Sequence, residues 1–121
     1  MKFSTDHQQD IAIVRIGESR MMYPLLADFA NAVTALISSG TRKLIIDMSA
    51  VGYIDSATIG CLMDLYRQMS AAGGGFKLAG VQRRVETMLT MTGAHNFIDI
   101  HEDEAQAIER FGLADAVQKH P

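Results

Sequence analysis

Short apolar runs alternate with connections of about one helix each, and that alternation constrains the fold more than any other feature of the chain. IAIVRIG (residues 11–17), RKLIIDM (42–48), FKLAGV (76–81) and NFIDI (96–100) read as strands. Between them, apolar residues recur at helical spacing. Leu25, Phe29, Val33 and Leu36, flanked by Leu26, Ala32 and Ile37, predict a helix opened by Pro24 and closed by Gly40. Ile59, Leu62, Met63, Tyr66 and Met69 predict a second over residues 56–72, ended by Gly73, Gly74 and Gly75. Val85, Met88 and Leu89 mark a shorter helix that stops at Gly93. Asp103 and Gln106 form a capping-box pattern for a last helix through Ala105, Ile108 and Phe111. MKFSTDHQ is expected to be an edge strand turning through Gln9 and Asp10, and the tail after Gly112 is expected to fray.

Strands joined by single helices imply parallel neighbours and right-handed crossovers, hence an α/β chain with a mostly parallel sheet. At 121 residues a single domain is expected. Parallel order places every strand end and the following helix start on one rim. Residues 17–23, 49–56, 81–84 and 101–103 should meet there. Ligands of open α/β sheets bind beyond the carboxyl ends of strands, so this rim is where function is expected.

Composition removes several function classes. A net charge of −3 supplies no basic footprint for nucleic acid. No apolar run reaches membrane-spanning length, and the N-terminus lacks the apolar core of a secretory signal. The single Cys61 excludes an internal disulfide and suits a reducing cytoplasm. His7, His95, His101 and His120 are scattered without metal-site spacing, so no metal is expected. The glycine run follows a helix instead of a strand, which marks a turn and not a phosphate cradle or cofactor loop.

The stretch YIDSATIG, residues 53–60, lies on the expected rim. Either Asp55 or Ser56 could cap the helix that follows. Ser56 could instead be a site of chemistry. A nucleophile elbow would need glycines where Ile54 and Thr58 stand, and no histidine is placed as its base, so self-sufficient catalysis is not expected. Cys61 reads as a small buried hydrophobe. Arg83 and Arg84 fall in the first turn of a helix, where positive charge opposes the dipole. They are either a solvated pair or a surface for an acidic partner or a phosphate.

The sequence DSATIG, residues 55–60, resembles the Asp-Ser-small-Gly-(Leu/Ile)-Gly signature of STAS domains, the anti-sigma-factor antagonists. LIIDMSAVGYIDS and the region from AAGGGFKLAGV to HEDEAQAI resemble the family's strand, loop, Gly-rich turn and final helices. The resemblance is strongest over residues 11–108. It implies a two-layer fold with helices mainly on one face of the sheet. It also implies a non-enzymatic switch without a cofactor, in which Ser56 is phosphorylated by a serine kinase that doubles as an anti-sigma factor. Unphosphorylated protein would bind that kinase, and a PP2C-like phosphatase would reset it. By position, Asp55, Ala57, Thr58, Arg20, Arg83 and Arg84 are then expected at the partner surface, and Ser56 is expected to serve as cap and acceptor together. Thr58 replaces the family's Gly, and Arg20 replaces an acidic position. A scaffold subunit of a lipid-transport or signalling assembly, with Ser56 never phosphorylated, is the alternative that the resemblance allows.

Overall fold

Five strands make the central sheet, in the order β1 (Phe3–Gln8), β2 (Ile11–Ile16), β4 (Lys43–Asp47), β6 (Gly75–Ala79) and β7 (Asp99–His101). A computed structural model describes residues 1–118 of the chain. β1 runs antiparallel to β2, and every other neighbour pair is parallel. Helices α1 (Leu26–Ser38), α2 (Ser56–Ala71) and α3 (Arg83–Met91) follow the strands in turn, and α4 (Glu104–Gln118) closes the series.

The central strands β2, β4 and β6 are buried on both faces, which is why they read as continuous apolar runs, whereas the edge strand β1 is mostly exposed. Val14, Leu44, Ile46 and Leu78 point to one side and pack with Phe29 and Val33 of α1, Leu62 and Leu65 of α2, and Val85 of α3. Ile11, Ile13, Ile45 and Ala79 point to the other, where Ala107, Ile108 and Phe111 of α4 pack against them. Three helices on one face and one on the other is the two-layer arrangement with an added strap. Burying each large apolar side chain contributes about 1.5–3 kcal/mol. Arg15, at the end of β2, holds the start of α4 with a two-pronged bond to Glu104, both N–O distances being 2.8 Å. A Cβ on Gly74 would lie 2.5 Å from the Arg42 carbonyl, and one on Gly75 would lie 2.6 Å from the Phe111 ring. The glycine run is therefore a close-packed turn.

Several expectations need correction. The NFIDI run is a strand only from Asp99. Gly93, with φ +80°, turns the chain into a 3-10 turn at Ala94–Asn96, which buries Ala94 and Ile98. Phe97 is left 57% exposed against Tyr66, with ring centroids 6.4 Å apart. Pro24 sits in a 3-10 turn, Tyr23–Leu25, just ahead of α1. α4 runs past Gly112 to Gln118. Residues 119–121, His120 included, lie outside the described residues. Two strands were not foreseen, β3 (Arg20–Met21) and β5 (Tyr53–Ile54), which pair parallel to each other. The capping box at α4 forms with its return bond shifted to the residue before Asp103. Gln106 N–H donates to Asp103 Oδ1 at 2.8 Å, and Gln106 Oε1 accepts from Glu102 N–H at 2.9 Å. Among the described residues no helix is long and apolar enough to cross a membrane.

Candidate functional site

The short β3–β5 pair brings two distant loops together at the start of α2. Arg20 lies opposite Tyr53 and Met21 opposite Ile54, and Gly52 N–H donates to Ser19 O at 2.8 Å. Met21 and Ile54 are fully buried and anchor the pair in the core. The chain then leaves β5 through Asp55, whose extended backbone (φ −106°, ψ 177°) makes it the N-cap of α2.

Asp55 is the hub of the site. Its Oδ1 accepts the Thr58 N–H at 2.9 Å and lies 2.7 Å from the Thr58 hydroxyl. Its Oδ2 accepts the Tyr23 N–H at 2.9 Å. Partial removal from water pushes the carboxyl pKa up. The Thr58 hydroxyl and the Tyr23 and Thr58 amides outweigh that and hold it below the usual carboxylate range.

Ser56 is the first residue of α2 and is exposed, and its hydroxyl has no hydrogen-bond partner among the described residues. The expectation that Ser56 caps the helix is therefore corrected: Asp55 has that role. Ala57 is half-buried in a cleft of about 630 Å³ between α1 and α2, which Tyr23 also lines. Thr58 is fully buried, so it does not reach the surface where it was expected. Its hydroxyl lies 2.8 Å from the Met21 carbonyl, tying α2 to β3.

The arginines fall beside this hub. The Arg20 guanidinium stacks over the Tyr53 ring at 5.1 Å. Arg83 and Arg84 open α3, whose N-cap residue Gln82 makes no capping bond and donates its side chain to Ser49 O at 2.9 Å. Gly52 lies between the two groups: its N–H bonds Ser19 O, and a Cβ added to it would lie 3.5 Å from Gln82 Oε1. Arg20, Arg83 and Arg84 are all exposed, and none makes an ion pair among the described residues. Burial, with the Asp64 charge behind it, pushes the Cys61 thiol pKa up, away from the reactive thiolate. Among the described residues no three histidine, cysteine or acidic side chains group as a metal site.

Sequence reasoning missed Tyr23, a residue 74% exposed. An aromatic directly before Pro24 on the expected rim was the available signal.

A family model described as STAS domain matches residues 2–107. A candidate anti-sigma factor antagonist from Thermotoga neapolitana is 29% identical over 73 residues, which are 60% of this chain and 65% of that protein. The match thus spans under two thirds of that relative's length. The crystal structure of a candidate anti-sigma factor antagonist from Thermotoga maritima superposes with a TM-score of 0.81 at 23% identity, covering 89% of this chain and 92% of that one. The Bacillus cell fate determinant SpoIIAA in its phosphorylated form gives 0.72 at 15% identity, covering 91% and 99%. At these identities the two solved structures speak to the fold alone.

Proposed function

The chain belongs to the STAS domain family, and from that premise we propose that it is an anti-sigma-factor antagonist switched by phosphorylation of Ser56. In this reading the unphosphorylated chain binds a serine kinase that doubles as an anti-sigma factor, and so releases the sigma factor. The kinase transfers the γ-phosphoryl group of ATP to the Ser56 oxygen, the serine proton leaves to solvent or to a kinase base, and ADP departs. A PP2C-like phosphatase hydrolyses the ester and restores the binding form. The chain is substrate and ligand here, not catalyst.

One observation carries the reading: Ser56 is exposed with a spare hydroxyl because Asp55 already caps α2. A serine that capped the helix would have to give up that bond to be phosphorylated. Ser56 gives up nothing. A phosphoserine brings about −1.5 to −2 charges. At a helix N-terminus that charge is tolerated by the exposed N–H groups and the dipole, so the fold survives. On a surface that includes Asp55, Ala57, Arg20, Arg83 and Arg84, with Thr58 acting from below, the same charge opposes the acidic partner for which the arginines are suited. Binding is then lost without unfolding.

The test uses the partner kinase and ATP. The chain is expected to gain one phosphoryl group at Ser56, and Ser56→Ala none. Ser56→Ala should bind the kinase like wild type, whereas Ser56→Asp should lose at least part of the affinity, since Asp carries less charge than phosphate. Phosphate on another residue, or tight binding by Ser56→Asp, would refute the switch.

A further inference from the structure

The second oxygen of the Asp55 carboxylate does something that capping does not require. Oδ1 serves the start of α2, while Oδ2 reaches across 32 positions of sequence to the Tyr23 N–H. That bond fixes the backbone of an aromatic residue that stands 74% exposed. Thr58 braces the same unit from beneath, because its buried hydroxyl lies between the Asp55 carboxylate and the carbonyl of Met21, two residues before Tyr23. Pro24 stiffens the turn further by locking its own φ. An aromatic ring left in water contributes little to the fold. A ring presented on a rigid backbone beside an exposed, unbonded serine has another use.

We infer that Tyr23 is the aromatic anchor of the partner surface around Ser56, held in place by Asp55 and Thr58. The identity of that partner as the serine kinase rests on the function proposed above. Exposed tyrosines are enriched among the few residues that carry binding energy, since one ring supplies large contact area and a polar tip with little rotamer entropy. The partner should therefore offer an apolar pocket ending in a hydrogen-bond acceptor for the phenol. Pre-fixing the backbone of Tyr23 lowers the ordering cost of that contact. Asp55 adjoins Ser56 in sequence and grips Tyr23 in space, so anchor and switch share one carboxylate. Tyr23 and Ala57 also line the same cleft. Thr58 is on this account a positioning residue.

Two measurements decide it. In the free protein, the Tyr23 amide should exchange its hydrogen about tenfold faster in Asp55→Asn than in wild type. The asparagine keeps an acceptor for α2 but turns an NH₂ donor toward Tyr23. Amides of β4 should be unchanged. An unaltered Tyr23 rate overturns the grip, whatever happens at Ser56. The partner kinase is then titrated against wild type, Tyr23→Ala, Tyr23→Phe and Ser56→Asp. Tyr23→Ala should weaken binding about thirtyfold or more, and Tyr23→Phe should recover most of the loss. Wild-type affinity in Tyr23→Ala overturns the anchor even where Ser56→Asp supports the switch. Conversely, wild-type affinity in Ser56→Asp with a loss in Tyr23→Ala rejects the switch and keeps the anchor.

Discussion

The two ends of the sheet carry arginines and lysines of similar number and opposite disposition. At the amino ends of the parallel strands, Lys43 pairs with Asp10 at 2.9 Å and Lys77 with Asp99 at 3.2 Å. Arg42 there donates to the carbonyls of Ile37 and Thr41 at 3.0 and 2.8 Å. At the carboxyl ends, along the stretch from β3 to the start of α3, Arg20, Arg83 and Arg84 have no ion-pair partner among the described residues. Arg15 at the end of β2 shows that this rim can pair a cation when the fold uses it, through Asp6 and Glu104. Cations that hold the fold together are answered from within. Those on the rim that carries Ser56 have no such answer among the described residues, as the acidic partner proposed above would require.

Reversing charge on the Ser56 side should break that contrast most visibly. Arg83→Glu with Arg84→Glu is expected to weaken binding to an acidic partner by about 2 kcal/mol or more and to flatten its salt dependence. Thermal stability should stay within about 0.5 kcal/mol, because both positions are exposed. Unchanged affinity by calorimetry, at low and high salt, would reduce the pair to a solvated surface.

Lys77→Met probes the other end, with a smaller effect and the reverse readout. The Lys77 side chain is 11% exposed, and its ammonium lies 4.9 Å over the Phe111 ring as well as beside Asp99. Losing the cation–π contact should cost about 0.5–1 kcal/mol of stability. Asp99, 71% exposed, keeps water as a partner, so its lost ion pair adds little. Urea unfolding should record the change, while partner affinity stays at the wild-type value. A fall in affinity would mean that both ends of the sheet contribute to binding.

Much of this architecture is legible in the sequence, because strands buried on two faces must be apolar throughout and helices buried on one must show period. The boundary errors have physical reasons. Phe97 looked like part of a strand, but it packs against Tyr66 on the surface of a 3-10 turn. β3 and β5 have two residues each, too short for any period to register. At the site, the position of Ser56 on the rim was readable and its division of labour with Asp55 was not. Both residue types cap helices equally well, and only the extended backbone at Asp55 separates them. Thr58 looked like surface because it is polar. Its hydroxyl is satisfied by a carbonyl 37 positions away, a contact no local pattern announces.

A last test asks whether the Asp55 carboxylate belongs to the fold or to the partner surface. Asp55 has a folded pKa below the ordinary carboxylate value, so the unfolded chain binds the proton more readily. The stabilisation from its charge is therefore complete above the unfolded value of about 4, and it disappears as pH falls through the lower folded value. Asp55→Asn keeps the cap but cannot titrate. Wild type should exceed Asp55→Asn in stability by up to about 1 kcal/mol at pH 7. That difference should shrink steadily below pH 4, although every other carboxylate titrates in both proteins alike. Taking the difference between the two unfolding curves at each pH removes that shared background. A gap that stays constant down to pH 2 would mean that the charge is not what Tyr23 and Thr58 recognise. The bonds at Asp55 would then act by shape alone, and the low carboxyl pKa would have no part in setting the rim.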